Sequence, residues 1–248
     1  MAAASETLLV EFRGVTFAVN GGPPIIDDLN FTVAAGETLV LLGESGCGKT
    51  TTLRLVNRLL TPAAGQVLVE GKPTTEWDVI RLRRRTGYVI QEAGLFPHFT
   101  VAENVALVPS LENWPEEKTR ARVEELLSLV GLEPARFADR YPRELSGGQR
   151  QRVGVARALA ADPPLLLMDE PFGALDPLTR ASLQKEFAEL KSSLGKTVIF
   201  VTHDVREALL LGSRIALMDR GKIVLLETPE GFRRSTNEYA RAYLETLS

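Results

Sequence analysis

A glycine-rich run that ends in lysine and threonine, residues 43–50, has the composition of a phosphate-binding loop. Glycines allow backbone amides to turn toward phosphate oxygens without a Cβ in the way. The following lysine matches the residue that reaches β- and γ-phosphates, and its threonine neighbour matches the one that holds Mg²⁺. The run predicts a nucleotide site with these candidate ligands: Gly43, Ser45, Gly46, Cys47, Gly48, Lys49, Thr50 and Thr51.

Two adjacent acids, Asp169 and Glu170, follow a short apolar run at residues 165–168. Ligands of open parallel sheets bind beyond the carboxyl ends of the strands, which is where a buried strand would deliver this pair. We expect Asp169 to assist Mg²⁺ and Glu170 to polarise the attacking water as a general base. Without the phosphate loop, the pair would be read as an ordinary solvated strand end.

The pentapeptide at residues 145–149, Leu-Ser-Gly-Gly-Gln, opens a predicted helix, and we expect its start to be a second anion site. Ser146 supplies a hydroxyl, while Gly147 and Gly148 expose amides at the helix N-terminus, where partial positive charge accumulates. At average composition the pentapeptide occurs by chance in fewer than about one chain per thousand.

These three motifs follow one another along the chain as phosphate loop, pentapeptide and acid pair. In that order they resemble those of the ATP-binding cassette (ABC) ATPases, and the resemblance covers roughly residues 8–228. It implies a head-to-tail homodimer in which the signature of one copy closes over ATP held by the loop of the other. The implied signature contacts are Ser146, Gly147, Gly148 and Gln149.

The same resemblance gives roles to three further residues. Gln91 matches the glutamine that reaches Mg²⁺ and the water, and His203 matches the histidine that contacts the γ-phosphate. Asp176 matches the loop that crosses the dimer interface, and it is also suited to cap the helix that starts at Pro177.

The predicted fold is α/β: a P-loop NTPase ABC cassette with a parallel core, an N-terminal antiparallel β subdomain and an inserted α-helical subdomain. Alternating apolar residues predict strands over 8–40, and residues 100–160 are predicted to be mainly helical. A helix is predicted from Thr50 to Leu60, with Leu53, Val56, Leu59 and Leu60 on one face. We expect one nucleotide-binding domain over 1–248, with the helical subdomain at approximately 92–160 and a helical tail at 229–248.

Composition limits the classes of partner and the compartment. A net charge of −3 does not favour nucleic-acid binding, and the basic run at 81–85 is expected to be a solvated helix end. No apolar run is long enough to cross a membrane, and residues 1–6 lack the features of a signal peptide. Cys47, the single cysteine, suits a reducing compartment. We expect it to be a tolerated small residue rather than a redox sensor, and we expect its alkylation to block ATP binding.

Residues 56–60, 87–109 and 140–145 are similar to the ATPases of osmoprotectant importers, which carry glycine betaine, choline or carnitine. The implied partners are integral membrane permease subunits at the cytoplasmic face of the membrane and, indirectly, an extracytoplasmic solute-binding protein. Leu95, Phe96 and Phe99 are expected either to form an apolar docking patch or to pack internally. An importer of another solute and a soluble ABC ATPase remain the alternatives.

Two departures from the family pattern lead to separate expectations. The family usually places an aromatic ring near Val19 to stack on adenine, and we expect Phe17 to lie on the same face by strand alternation. Many osmoprotectant ATPases carry paired C-terminal regulatory domains, and we expect none after the tail of this sequence.

Overall fold

A computed structural model describes residues 7–247, apart from the side chains of residues 190 and 192–194. The chain divides into two compact units, the first formed by the chain up to Arg83 and from Gly195 onward, and the second by Arg84–Leu194. Strands β1 to β10 are Leu8–Ala18, Pro24–Ala34, Thr38–Leu42, Ala64–Val69, Lys72–Pro73, Thr86–Val89, Leu165–Asp169, Thr197–Thr202, Arg214–Asp219 and Lys222–Glu227. Helices α1 to α10 are Lys49–Val56, Val79–Arg84, Val101–Leu111, Glu116–Leu129, Pro134–Phe137, Gly147–Leu159, Pro177–Leu194, Val205–Leu211, Pro229–Arg234 and Glu238–Glu245.

The first unit contains an antiparallel sheet with strand order β2-β1-β4-β5. Its inner face is formed by the alternating residues that the sequence indicated, and the rings of Phe12 and Phe31 stack with centroids 4.4 Å apart. Such cross-strand aromatic pairs stabilise a sheet by roughly 0.2–1 kcal/mol each. The predicted N-terminal strands are therefore confirmed.

The first unit also contains the strands that carry the phosphate loop. Strand β3 lies between β8 and β9 and is parallel to both, while β10 closes the edge as an antiparallel hairpin with β9. Every residue of β3 and of β8 is buried. Unbroken apolar runs of this kind are typical of parallel strands covered on both faces.

Helix α1 is shorter than the sequence predicted. It ends at Val56, Asn57 forms the C-cap, and Arg58 adopts a left-handed backbone with φ 52°. The predicted apolar face is therefore wrong beyond Val56, because Leu59 lies outside the helix and is exposed. Leu55 is buried together with Leu53 in its place.

The second unit pairs two parallel strands, β6 and β7, and contains helices α3 to α7. The block predicted to be mainly helical contains α3 to α6, and Gly131, with a left-handed φ of 71°, follows the end of α4. The predicted single domain over 1–248 stays a prediction. None of the described helices has the length and apolar character needed to cross a bilayer.

Each unit carries one of the two tryptophans of the chain. Trp77 donates its indole N–H to Val69 O at 3.3 Å, and the Lys72 ammonium lies 5.6 Å from its ring centroid. Trp114 has the Lys118 ammonium 3.7 Å from its ring centroid. Both rings thus sit beside a lysine at cation–π distance.

Candidate functional site

The phosphate-loop sequence connects the carboxyl end of β3 to the first turn of α1. Gly48 is the N-cap, with a φ of 110° that favours glycine, and it has no side chain with which to cap the helix. A Cβ at position 48 would also lie 2.6 Å from Ile26 Cδ1. The local structure is thus a helix N-terminus whose first-turn amides face the loop, as anion binding requires.

Lys49 lies within this loop, with its side chain folded back over the backbone. Its ammonium donates to Gly43 O at 2.6 Å and to Glu44 O at 2.8 Å, and the residue is only 4% exposed. Two carbonyl acceptors therefore hold a positive charge at the mouth of the helix dipole, where phosphate oxygens would be attracted.

The loop is held in place by the turn that joins β9 to β10. Gly221 N donates to Cys47 O at 3.0 Å, and Asp27 N donates to Gly221 O at 3.1 Å. In α10, burial raises the pKa of the Tyr243 hydroxyl to about 12, with further contributions from Cys47, Glu44 and Asp219. Sequence reasoning missed Tyr243, although the apolar spacing of α10 was a usable signal.

His203 follows β8, the strand beside β3. Because Leu42 and Thr202 are register partners, His203 leaves the sheet at the same edge as the phosphate loop. Its side chain is exposed. The backbone beyond it is fixed by the Thr202 hydroxyl, which accepts from Asp204 N at 2.9 Å and donates to the Glu207 carboxylate at 2.5 Å. The first unit therefore brings together the phosphate loop and His203 at one sheet edge.

In the second unit, Gln91 and the acid pair share an edge in the same way. Val89 of β6 is the register partner of Met168 of β7, so Gln91, Asp169 and Glu170 follow adjacent strand ends. Asp169 is 8% exposed, and its carboxylate accepts a hydrogen bond from the Tyr88 hydroxyl at 3.4 Å. Glu170 is half-buried and has a left-handed φ of 44°, which is a sparsely populated conformation for a side chain of this type.

The signature forms the N-terminus of α6 as predicted. Gln149 N donates to Ser146 Oγ at 3.2 Å, and Ser146 N donates to Gln149 Oε1 at 2.9 Å, which completes a capping box. A hydroxyl that accepts a hydrogen bond still carries a proton, which Ser146 can donate outward. Ser146 and Gly147 are exposed, whereas Gly148 is buried.

The loop that carries Asp176 lies beside the signature. A Cβ on Gly147 would lie 3.6 Å from Leu175 Cδ2. Asp176 caps α7 by accepting Thr179 N at 3.1 Å, which confirms the capping expectation. Hydrogen bonds from the Thr179 side chain and then from its amide lower the pKa of the Asp176 carboxyl. The second unit therefore joins the signature and this carboxylate on one exposed surface.

Strand alternation does not support the predicted adenine contact. Strand β1 ends at Ala18, and its pairing shifts register between Phe17 and Ala18. The alternation therefore does not extend to Val19, which is 52% exposed beyond the strand, whereas Phe17 is half-buried opposite Ile26. Contact of either residue with adenine stays a prediction.

Comparison with known families gives one match, described as ABC transporter, over residues 26–173. The chain is 49% identical over 237 residues to the glycine betaine/carnitine/choline transport ATP-binding protein of Bacillus subtilis, covering 95% of the chain and 62% of that protein. It therefore spans less than two thirds of this relative. It is also 47% identical over 236 residues to the glycine betaine uptake system ATP-binding protein of Escherichia coli, covering 95% of the chain and 76% of that protein.

A solved structure supports the same relationship at the level of the fold. A dimeric ATP-binding cassette in a post-hydrolysis state with ADP and Pi superposes with a TM-score of 0.78 at 34% identity, covering 89% of this chain and 99% of that one.

Alkylation tests the placement of Cys47. Burial raises the pKa of its thiol, so the thiolate fraction at neutral pH is smaller than that of a free cysteine. We expect N-ethylmaleimide to alkylate Cys47 more slowly than it alkylates glutathione. The alkylation rate should rise about tenfold per pH unit below the pKa of the thiol, and the adduct should not bind ATP. Adduct mass and nucleotide binding are the measurements, and Cys47→Ser should bind ATP and resist the reagent. Full ATP binding by the adduct would contradict the assignment.

Proposed function

The chain belongs to the ABC transporter family, and we propose that it is the ATP-hydrolysing subunit that drives a bacterial importer. The proposed cargo is an osmoprotectant of the quaternary ammonium type. The observation that carries this proposal is the likeness, over 95% of the chain, to ATP-binding proteins of betaine, carnitine and choline transport. An importer ATPase for another solute is the alternative, since the residues described above are proposed to contact nucleotide rather than cargo.

The phosphate loop binds the triphosphate of ATP in this proposal. Amides of the first turn of α1 meet the phosphate oxygens, and the Lys49 ammonium exchanges its carbonyl acceptors for the β- and γ-phosphates. Ser45, Gly46 and Thr51 line the same loop. Phe17 or Val19 contacts the adenine ring.

Hydrolysis uses the polar residues that follow the strand ends. The Glu170 carboxylate accepts a proton from the attacking water, Gln91 orients that water, and His203 donates a hydrogen bond to the γ-phosphate. The oxygen donors Thr50, Asp169 and Gln91 fit Mg²⁺, which prefers hard oxygen ligands together with substrate phosphates. When bound, the metal neutralises the negative charge of the phosphates.

A second copy of the chain completes the site. The exposed Ser146 hydroxyl and the amide of Gly147 donate to the γ-phosphate of the ATP held by the partner, as a helix N-terminus favours. Gly148 and Gln149 shape that helix start, and Asp176 faces the interface beside it. Two ATP molecules are enclosed by this isologous pair, so ATP closes the dimer and hydrolysis opens it.

The segment after Gln91 is the proposed contact with an integral membrane permease. Phe96 is 41% exposed, and its ring centroid lies 5.4 Å from that of Phe99. Leu95 and Phe99 are half-buried. Asn104, which is fully buried, accepts from Phe96 N and donates to Phe99 O, so the segment presents Phe96 in a fixed conformation. This contact would keep the chain at the cytoplasmic face of the membrane, with an extracytoplasmic solute-binding protein supplying cargo.

Removal of the loop lysine tests nucleotide binding. Lys49→Ala should weaken ATP binding roughly 10- to 100-fold, because hydrogen bonds to a charged group contribute about 1.5–3 kcal/mol each. Titration calorimetry measures the affinity, and the exposed Lys185→Ala is the matched control. Unchanged affinity in folded Lys49→Ala protein would show that the loop does not hold the phosphates.

Neutralising the proposed base tests hydrolysis. Glu170→Gln keeps shape and hydrogen bonding but cannot accept the proton, so kcat should fall by roughly 10²- to 10⁴-fold while ATP still binds. The variant should accumulate as an ATP-bound dimer, measurable by size-exclusion chromatography with light scattering. Glu189→Gln, an exposed carboxylate on α7, should behave like the wild type. Normal turnover by Glu170→Gln would remove Glu170 from this role.

Co-purification tests the transport role. The tagged chain, isolated from gently solubilised membranes of its own cells, should bring down a multi-span membrane protein that mass spectrometry can identify. Phe96→Ser should reduce this recovery without changing ATP binding, because it removes the exposed ring. Recovery of soluble partners alone, at good yield, would contradict the importer proposal and leave the ATPase proposal standing.

A further inference from the structure

Three consecutive residues after Gln91 have left-handed backbone conformations. The φ angles are 62° at Glu92, 60° at Ala93 and 53° at Gly94. This conformation costs a residue with a Cβ roughly 1–2 kcal/mol, and only the last of the three is glycine. The turn makes two local backbone bonds, Ala93 N to Ile90 O at 3.2 Å and Gly94 N to Glu92 O at 2.7 Å. Contacts from outside the turn are needed to favour it over a relaxed loop.

Arg157 of α6 supplies such contacts. Its Nη2 donates to Ala93 O at 2.7 Å, and its Nη1 donates to Gly94 O at 2.8 Å. The planar guanidinium holds two donors in a fixed geometry, so it fixes the relative orientation of these two peptide groups as well as their positions. Burial lowers the pKa of Arg157, but the guanidinium remains charged at neutral pH and its bonds to carbonyls are charge-assisted.

The same face of α6 also leaves room for the turn to pack closely against the helix. Gly154 lies one helical turn before Arg157, and a Cβ at this position would come 3.2 Å from Ala93 Cβ. Ala93 is accordingly buried, at 1% exposure. Gly154 and Arg157, which are three positions apart, therefore form one contact surface for the turn on α6.

Gln91 is the residue directly before this turn. Its other side is fixed by β6, whose Val89 is paired in register with Met168 of β7. The direction in which the exposed Gln91 side chain leaves the backbone is thus set between a strand and the turn that Arg157 holds.

We propose that Arg157 is a positioning residue for hydrolysis, which holds the left-handed turn so that Gln91 can orient the attacking water and contribute to the metal site. This inference rests on the proposed function of Gln91. Helix α6 begins with the signature, and Arg157 lies about 15 Å along its axis at a rise of 1.5 Å per residue. One helix therefore carries both the contact proposed for the partner's ATP and the support for Gln91 of its own subunit.

The test separates positioning from simple stabilisation. Arg157→Met in the full-length chain should lower kcat by roughly 10- to 100-fold, because misplacement by about 1 Å costs this much, and should raise the Mg²⁺ concentration at half-maximal rate. ATP affinity measured in EDTA should stay at the wild-type value, since no metal contributes there. Arg152→Met is the matched control on the same helix, because Arg152 also donates to a carbonyl, Val130 O at 2.6 Å, and pairs with Glu186. It should lower Tm while leaving kcat and the Mg²⁺ dependence unchanged.

A double-mutant cycle shows whether Arg157 acts through Gln91. Arg157→Met should have no further effect on kcat in a Gln91→Ala background if the two residues act as a unit. Additive losses, an equal loss in the Arg152→Met control, or an unchanged Mg²⁺ dependence would overturn the proposal.

Two further variants keep the test decisive if Arg157→Met folds poorly. Arg157→Lys retains the positive charge but loses the planar pair of donors and should give an intermediate kcat, whereas wild-type kcat in this variant would contradict the need for bidentate contact. Glu92→Gly relieves the left-handed strain and should recover part of the kcat of Arg157→Met, and no recovery in folded protein would count against the turn. Absence of ATP hydrolysis by the wild-type chain would refute the proposed function itself. An unchanged kcat in Arg157→Met would refute only the positioning role of Arg157.

Discussion

The main physical constraint on this molecule is the complete burial of its short central strands. A strand such as β3 or β8 satisfies its backbone polar groups in the ladder and has no exposed face for polar side chains. Polar chemistry is therefore restricted to the points where these strands end. The phosphate loop and His203 occupy such points in one unit, and Gln91 and the acid pair occupy them in the other.

Features that depend on short-range geometry were predictable from sequence, whereas those that depend on contacts distant in the chain were not. Asp176 caps α7 as expected because a carboxylate three residues before an amide can bond to it locally. The end of α1 was missed because Leu59 and Leu60 continue the helical period, while the left-handed backbone of Arg58 ends the helix. The support of the Gln91 turn by Arg157 joins residues about 64 positions apart, which periodicity does not report.

Side chains, rather than regular secondary structure, organise the segment between β6 and α3. Arg157 donates to carbonyls at its start, and Asn104 satisfies both an amide and carbonyls near its end. These backbone groups would otherwise require water, and their bonding to two helices gives an irregular segment a defined conformation. A glutamine at one end and an exposed aromatic ring near the other are consequently parts of the same ordered segment.

The placement of one tryptophan in each unit makes the chain its own optical reporter. Intrinsic fluorescence is the sum of two signals, one from Trp77 in the β-rich unit and one from Trp114 in the helical unit. Because each indole lies beside a lysine ammonium, its emission depends on a local contact as well as on solvent exposure. Replacing either ring with phenylalanine would leave a spectrum that follows the unfolding or nucleotide response of a single unit, without any attached dye.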